Sequence, residues 1–241
     1  MIEIELYHTI LVLAGIANLS MALVLLHGNL AYSEYTVYRR ARRLVALCFA
    51  VFAVGFLLHA HYQWRNSWPA AASALSVSYF HIGGVLFGWS HTSLLNPNYL
   101  TKTVVVLDLS ILIIGVVCYW LGAFGLSGIN SYSFGIFFAH ALFITYMFYH
   151  TYYRVKRRLQ ELSLGTISHF VRWMLMSCHL IIGFGIGSIV ITACLPTLVW
   201  PYTVLLSVGI LVFTYIFFSL NDYGNVIDSA TNATEDVEAR A

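Results

Sequence analysis

Between Asp108 and Arg154 the chain reads LSILIIGVVCYWLGAFGLSGINSYSFGIFFAHALFITYMFYHTYY (residues 109–153), without one Asp, Glu, Lys or Arg. As a single helix it would be about 68 Å long at about 1.5 Å per residue, more than twice the roughly 30 Å hydrocarbon core of a bilayer. The stretch GLSGINS at 125–131, rich in Gly, Ser and Asn, is the turn that divides it. Residues 109–153 therefore hold most of one membrane span (about 103–122) and all of the next (about 132–153).

The same counting extends outward in both directions. Charge-free gaps at 6–33, 44–64 and 66–101 each hold one span, about 8–27, 43–62 and 70–94. The gap at 173–221 is split by PTLVWP at 196–201 into spans of about 172–195 and 201–220. All four prolines (Pro69, Pro97, Pro196, Pro201) fall at these breaks, where a missing N–H costs least. Composition agrees: 60% of the residues are hydrophobic and 9% charged, against about 25% charged in soluble domains. The fold class expected is an all-α membrane protein, a bundle of seven transmembrane helices (1–220) followed by a short acidic tail (221–241) whose end is expected to be disordered. Glu3 and Glu5 precede the first apolar run with no basic residue, so that run reads as a retained span rather than a cleaved leader.

Orientation follows from the basic residues. Arg39, Arg40, Arg42, Arg43, Lys102, Arg154, Lys156, Arg157, Arg158, Arg172 and Arg240 all fall on one side of the spans, and Arg65 alone on the other. The positive-inside rule then puts the N-terminus outside and the C-terminus in the cytoplasm. Trp64, Trp68, Trp120 and Trp200 are expected at the outer boundary, Trp89 and Trp173 at the inner one. The basic clusters YRRARR (38–43) and RVKRR (154–158) set topology first, and are also where anionic lipid headgroups or a cytoplasmic protein partner would dock. The NAT sequon at Asn232 lies on the cytoplasmic side and carries no weight.

Ten histidines are the unusual feature. His81 and His140 are expected at matching depth near the bilayer middle, with His91 and His150 ten residues beyond each and His179 between the two levels. Ten residues leave a helix roughly 80° short of alignment, so the two levels cannot serve two stacked haems in one groove. One haem, or one metal held by His81, His140 and His179, remains open, as do a histidine-lined ligand cavity opening outward near His81 and His140, and plain core or interfacial packing. His8, His27, His59, His61 and His169, at span ends, read as interfacial. Asp108 is the one acid inside a span: either it reaches back to water or a basic loop, or it is a proton or cation site paired with a histidine.

Glycines at 84 and 88, and at 183 and 187, have small-xxx-small spacing and are expected to let helices pack closely. GFGIGS at 183–188 lies mid-span with no preceding strand and is not a nucleotide fingerprint. The four cysteines (Cys48, Cys118, Cys178, Cys194) read as small apolar residues, with a Cys118–Cys194 disulfide as the alternative. The seventh span has no lysine, which excludes covalent retinal, and no residue set points to an enzyme.

Four stretches carry a resemblance: YRRARRLVALCFAV (38–51), LLNPNYLTK (94–102), HFVRWMLMSCHLIIGFGIGS (169–188) and FFSLNDYG (217–224). Together with the span order they resemble the N-terminal membrane module of Bacteroidetes-type membrane-bound sensor regulators, whose bundle precedes an AraC-like helix-turn-helix. The resemblance implies a signal-sensing bundle in a bacterial inner membrane and brings no defined ligand site. Here too few residues follow span seven for a DNA-binding domain, so no direct nucleic-acid binding is expected and output would pass to a partner. The leading expectation is a receptor-like membrane sensor; a haem- or metal-binding redox protein and a ligand-free accessory subunit are the alternatives.

Overall fold

A computed structural model describes residues 2–27, 35–126, 128–161, 167–195 and 198–238. Among the described residues eight helices follow in order: α1 (Ile2–His27), α2 (Thr36–Tyr62), α3 (Trp64–Ser67), α4 (Pro69–Leu95), α5 (Lys102–Ala123), α6 (Ile129–Glu161), α7 (Ile167–Cys194) and α8 (Trp200–Glu238). All but α3 are long and apolar enough to cross a bilayer, giving a seven-span integral membrane bundle.

Local chemistry marks the ends. Gln63 closes α2 in the left-handed region (φ 49°) and leads into α3, a single turn that the charge pattern does not announce. Pro69 sits in the first turn of α4, where no intrahelical N–H is needed. Thr101 caps α5, its side-chain oxygen accepting from the Val104 amide at 3.3 Å. The expected boundaries need two extensions. Helix α2 begins at Thr36, so Arg39, Arg40, Arg42 and Arg43 are helical, and α6 continues to Glu161, carrying Arg154 and Lys156 along. Helix α8 likewise runs on into the acidic tail as far as Glu238; the end of the tail, 239–241, lies outside the described residues.

Helix α4 is the hub. It touches α2, α5, α6 and α7, while α1 packs on α2 and α8, and α7 on α8. Its most apolar window is 72% buried, against 22% for α5. A helix enclosed by others need not be greasy, and α4 is accordingly rich in small and hydroxyl residues: Ala71, Ala72, Ala74, Ser76, Ser78 and Ser90 are all buried. Small side chains let backbones approach, the main source of helix association where no hydrophobic drive exists between spans. A Cβ added at Gly83 would lie 2.5 Å from Phe52 Cζ of α2, and one at Gly88 would overlap Ile144 Cγ2 of α6.

The paired-glycine expectation is corrected at the other positions. A Cβ at Gly84 or Gly183 would meet nothing within 4 Å, and one at Gly187 makes only an ordinary 3.5 Å contact with Leu205. These glycines do not clamp helices together, because their faces turn to open space or loose neighbours. All four cysteines are unbonded, so Cys118 and Cys194 form no disulfide.

Gly88→Leu is expected to destabilise the bundle by roughly 1–3 kcal/mol through overpacking, whereas Gly84→Leu leaves stability within about 1 kcal/mol. Unfolding of both variants in mixed micelles checks this; equal losses would show that α4 packs differently.

Candidate functional site

Helix α5 presents one buried stripe to the bundle: Asp108, Leu112, Gly115 and Tyr119. Their spacing of four, three and four returns to the same face, and Asp108 to Tyr119 is three turns and about 20°. The two polar ends of this stripe are thus separated by about 16 Å of rise, and two histidines from neighbouring helices bridge them.

At one end the Asp108 carboxylate, 0% exposed, receives Trp89 Nε1–H of α4 on Oδ2 at 2.6 Å. His140 Nε2 of α6 lies 3.2 Å from Oδ1. His140 Nδ1 is 2.8 Å from His81 Nε2 of α4, and His81 Nδ1 is 3.4 Å from the Tyr119 hydroxyl. Tyr119, His81, His140, Asp108 and Trp89 therefore form one unbroken chain of four hydrogen bonds linking α4, α5 and α6. Gly115 gives the ring its room: a Cβ there would stand 3.1 Å from His81 Cε1, close enough that the ring would have to shift by a few tenths of an ångström. Outside the spans, Tyr99 feels the same carboxylate. Burial, and then the negative charge of Asp108, push its hydroxyl up to about 12, so it remains neutral.

With Asp108 as a carboxylate, which only accepts, the donor and acceptor roles along the chain are fixed. His140 then donates from Nε2, its neutral Nδ1 accepts from His81 Nε2–H, and His81 Nδ1 accepts from Tyr119. In that state each of the four bonds has one donor and one acceptor, and the chain carries one net negative charge.

The sequence-predicted residues separate on this geometry. His81 and His140 meet, and Asp108 joins them instead of reaching water or a basic loop. His179 does not join. Its side chain is exposed, next to Tyr149 at 5.8 Å between ring centroids. The expectation of a His81–His140–His179 metal set is thereby corrected: α7 turns His179 away from the pair. Among the described residues, no group of three or more His, Cys, Asp or Glu side chains is arranged to hold an ion. Nor does a haem fit between His81 and His140, whose nitrogens are already in direct hydrogen-bond contact. His91 and His150 also fail to pair, one being buried and the other exposed beside Arg154. Trp89 is the buried donor to Asp108.

His59, expected to be interfacial, is buried in a second polar cluster near the α2–α4 junction. Arg65 Nη1 donates to Ser73 Oγ and Tyr202 OH at 3.2 and 3.1 Å, and Nη2 to Ser76 Oγ at 3.2 Å. Ser76 donates to the Ala72 carbonyl at 2.9 Å, so His59 Nε2, 3.0 Å away, is itself a donor to Ser76. The guanidinium also stacks 3.8 Å above the Tyr202 ring. This clasp ties α2, α3, α4 and α8 together at one end of the bundle.

A cavity of about 250 Å³ lies between α4, α6 and α7, with α2 at its back. It touches His81 and not His140. Its rim residues Phe138, Leu142 and Ile186 are 51–54% exposed, so it opens sideways toward lipid; the expectation of an outward opening is corrected. Of the basic residues marked for lipid or partner contact, Arg39, Arg40, Arg43, Arg154, Lys156 and Arg157 are exposed, while Arg42 is buried with its guanidinium over Tyr38. The side chain of Arg158 lies outside the described residues.

Fold and site together define a polytopic helical membrane protein with a buried carboxylate–histidine hydrogen-bond chain in its spans. No family model, curated protein or solved structure matches the chain.

Asp108→Leu leaves Trp89 Nε1–H and His140 buried without an acceptor, and is expected to cost roughly 2–4 kcal/mol. Asp108→Asn, which still accepts from Trp89, should cost less than half as much. Paired denaturation curves check the order; equal losses would mean that the carboxylate acts only through its size.

Proposed function

We propose that this chain is a receptor-like membrane sensor with the Asp108–His140–His81–Tyr119 relay as its input element. In this reading the N-terminus is outside and the C-terminus in the cytoplasm, as the placement of basic residues suggests, and the membrane is a bacterial inner membrane, as the resemblance to membrane-bound sensor regulators implies. The observation that carries the proposal is the unbroken hydrogen-bond chain between Tyr119 and Asp108. An ionised side chain inside a span costs about 2.5–3.5 kcal/mol even on lenient scales, and such groups mark proton relays and ion paths.

The relay works by proton displacement. A proton reaching His81 Nδ1 makes that ring cationic; its Nε2 proton then passes to His140 Nδ1, and the His140 Nε2 proton passes to Asp108. Both rings end neutral with their tautomers exchanged, and Asp108 ends as a neutral carboxyl. The titratable groups facing the chain are Tyr119 at its entry and Tyr99 near its exit. Neutralising Asp108 removes the charge assistance from its bonds to Trp89 and His140, which makes charged bonds roughly twice as strong as neutral ones. The contact joining α4, α5 and α6 weakens, and the balance between two packings of the bundle shifts. Helix α6 carries that movement to its exposed end at Arg154, Lys156 and Arg157, and α2 offers Arg39, Arg40 and Arg43. A cytoplasmic protein partner reading these basic surfaces is the proposed output.

The test is infrared difference spectroscopy of the protein in vesicles stepped between two pH values. The account expects a carbonyl band from a protonated carboxyl that is absent in Asp108→Asn and altered in His140→Gln. A second readout is the distance between spin labels at the exposed ends of α2 and α6, which should change with pH only when Asp108 is present. A pH response identical in Asp108→Asn overturns the proposal.

A further inference from the structure

Beside α3, at one end of the bundle, α2 ends at Tyr62, α4 begins at Pro69 and α5 ends at Ala123. Four aromatic rings from these helix ends close on one another. Trp64 of α3 meets Trp68 at 6.1 Å between centroids, and Trp68 meets Phe124 at 5.5 Å. Phe124 meets Trp120 of α5 at 6.3 Å, and Trp120 returns to Trp64 at 6.1 Å. Neighbouring planes are turned by 37° to 78°, so the rings form no stack. Among the described residues no ring contact crosses from Trp64 to Phe124 or from Trp68 to Trp120, so the four surround a middle. Tyr62 stacks on one face of Trp64 at 4.9 Å, leaving its other face to the group. Tryptophans gather at membrane boundaries in general, which accounts for the depth of these rings and not for their closure. Trp200, which also opens a span, is 56% exposed and makes no ring contact among the described residues.

Three properties decide what such a group can hold. The first is distance: a cation is attracted within about 6 Å of a ring centroid, and sides of 5.5 to 6.3 Å put the middle about 4 Å from each. The second is the kind of cation. The segments that build the group, 62–68 and 120–124, contain no Asp or Glu. An ammonium with N–H groups would find no carboxylate there, whereas a quaternary ammonium has no proton to donate. Arg65, the one charged residue in these segments, is buried and stacks 3.8 Å above Tyr202, away from the four rings. The third is the backbone: α2 and α5 both end here, and a helix C-terminus carries roughly half a negative charge. Helix α5 has no basic residue in its last turn to answer that charge. Phe124, 68% exposed, leaves the group accessible from outside the bundle.

We infer that Trp64, Trp68, Trp120 and Phe124 form an aromatic cage that binds a quaternary ammonium group at the membrane surface. The trimethylammonium of a lipid headgroup and that of a soluble solute share this chemistry. The inference does not depend on the proton reading.

The test is equilibrium binding of radiolabelled choline to the protein in nanodiscs of phosphatidylethanolamine and phosphatidylglycerol, with empty discs as the blank. Choline is expected to bind saturably at one site. Its uncharged isostere 3,3-dimethylbutanol should displace it about tenfold less well than unlabelled choline, the worth of a desolvated cation–π contact. Trp68→Leu should abolish binding. Should that variant fail to fold, mono-, di- and trifluorotryptophan placed at position 120 keep the ring's shape while withdrawing its electrons, and affinity should fall stepwise along the series. Repeating the titration in phosphatidylcholine discs separates the sources. Binding lost there upholds the cage with the lipid headgroup as its occupant, and binding kept upholds it with a soluble one. No saturable binding, equal displacement by the isostere, undiminished binding in a folded Trp68→Leu, or an affinity indifferent to fluorination would each overturn the inference. The carboxyl band of Asp108 is measured separately, so failure here leaves the relay standing, and failure there leaves the cage.

Discussion

A carboxyl group with no access to water, held between membrane helices, must find its partners within the protein. Asp108 is that group, and much of the bundle is arranged around its two oxygens. One is answered by Trp89 from α4, the other by His140 from α6. Because a neutral His140 that donates from Nε2 must accept at Nδ1, it calls for a second donor, which His81 supplies. His81 in turn needs the space that Gly115 leaves and finds Tyr119 beyond it. The hydrogen-bonding demand of one side chain thus propagates through four others across three helices, in surroundings where an unmet polar group is costly.

The position of α4 follows from the same demand. It carries His81 and Trp89 for the relay and Ser73 and Ser76 for the Arg65 clasp. A helix with so many polar side chains is unsuited to a lipid face, and it is the most enclosed of the seven. Its small residues draw α2 and α6 close at Gly83 and Gly88, and the unfilled side of Gly84 leaves the cavity. Packing and polarity are therefore two consequences of one helix lying inside the others.

The seven spans were legible because a bilayer forbids charge over a fixed length, so gaps between Arg, Lys, Asp and Glu measure helices directly. The extensions of α2, α6 and α8 were not, since beyond the membrane the hydrophobic limit no longer applies. Within the site, depth was readable and azimuth was not. His81 and His140 were matched by level and do meet; His179, placed between the two levels, faces away. Tyr119 and Gly115 were missed, although their offsets of eleven and seven from Asp108 put them on its face. That signal was available once Asp108 was taken as the origin. Trp89 was assigned to a boundary by residue type, and only its neighbour across the helix interface explains its burial. The glycine pairs illustrate a further limit: spacing identifies a smooth helix face, and only the structure says whether a neighbour or a void lies against it.

The central claim is that the five side chains form one directed hydrogen-bond chain within the membrane. Solid-state NMR of ¹⁵N-histidine-labelled protein in lipid bilayers measures it most directly. The account predicts a coupling across the hydrogen bond between His81 Nε2 and His140 Nδ1, with the proton of His140 on Nε2 and both signals lost or displaced in Asp108→Asn. Uncoupled rings whose tautomers are indifferent to Asp108 would contradict it.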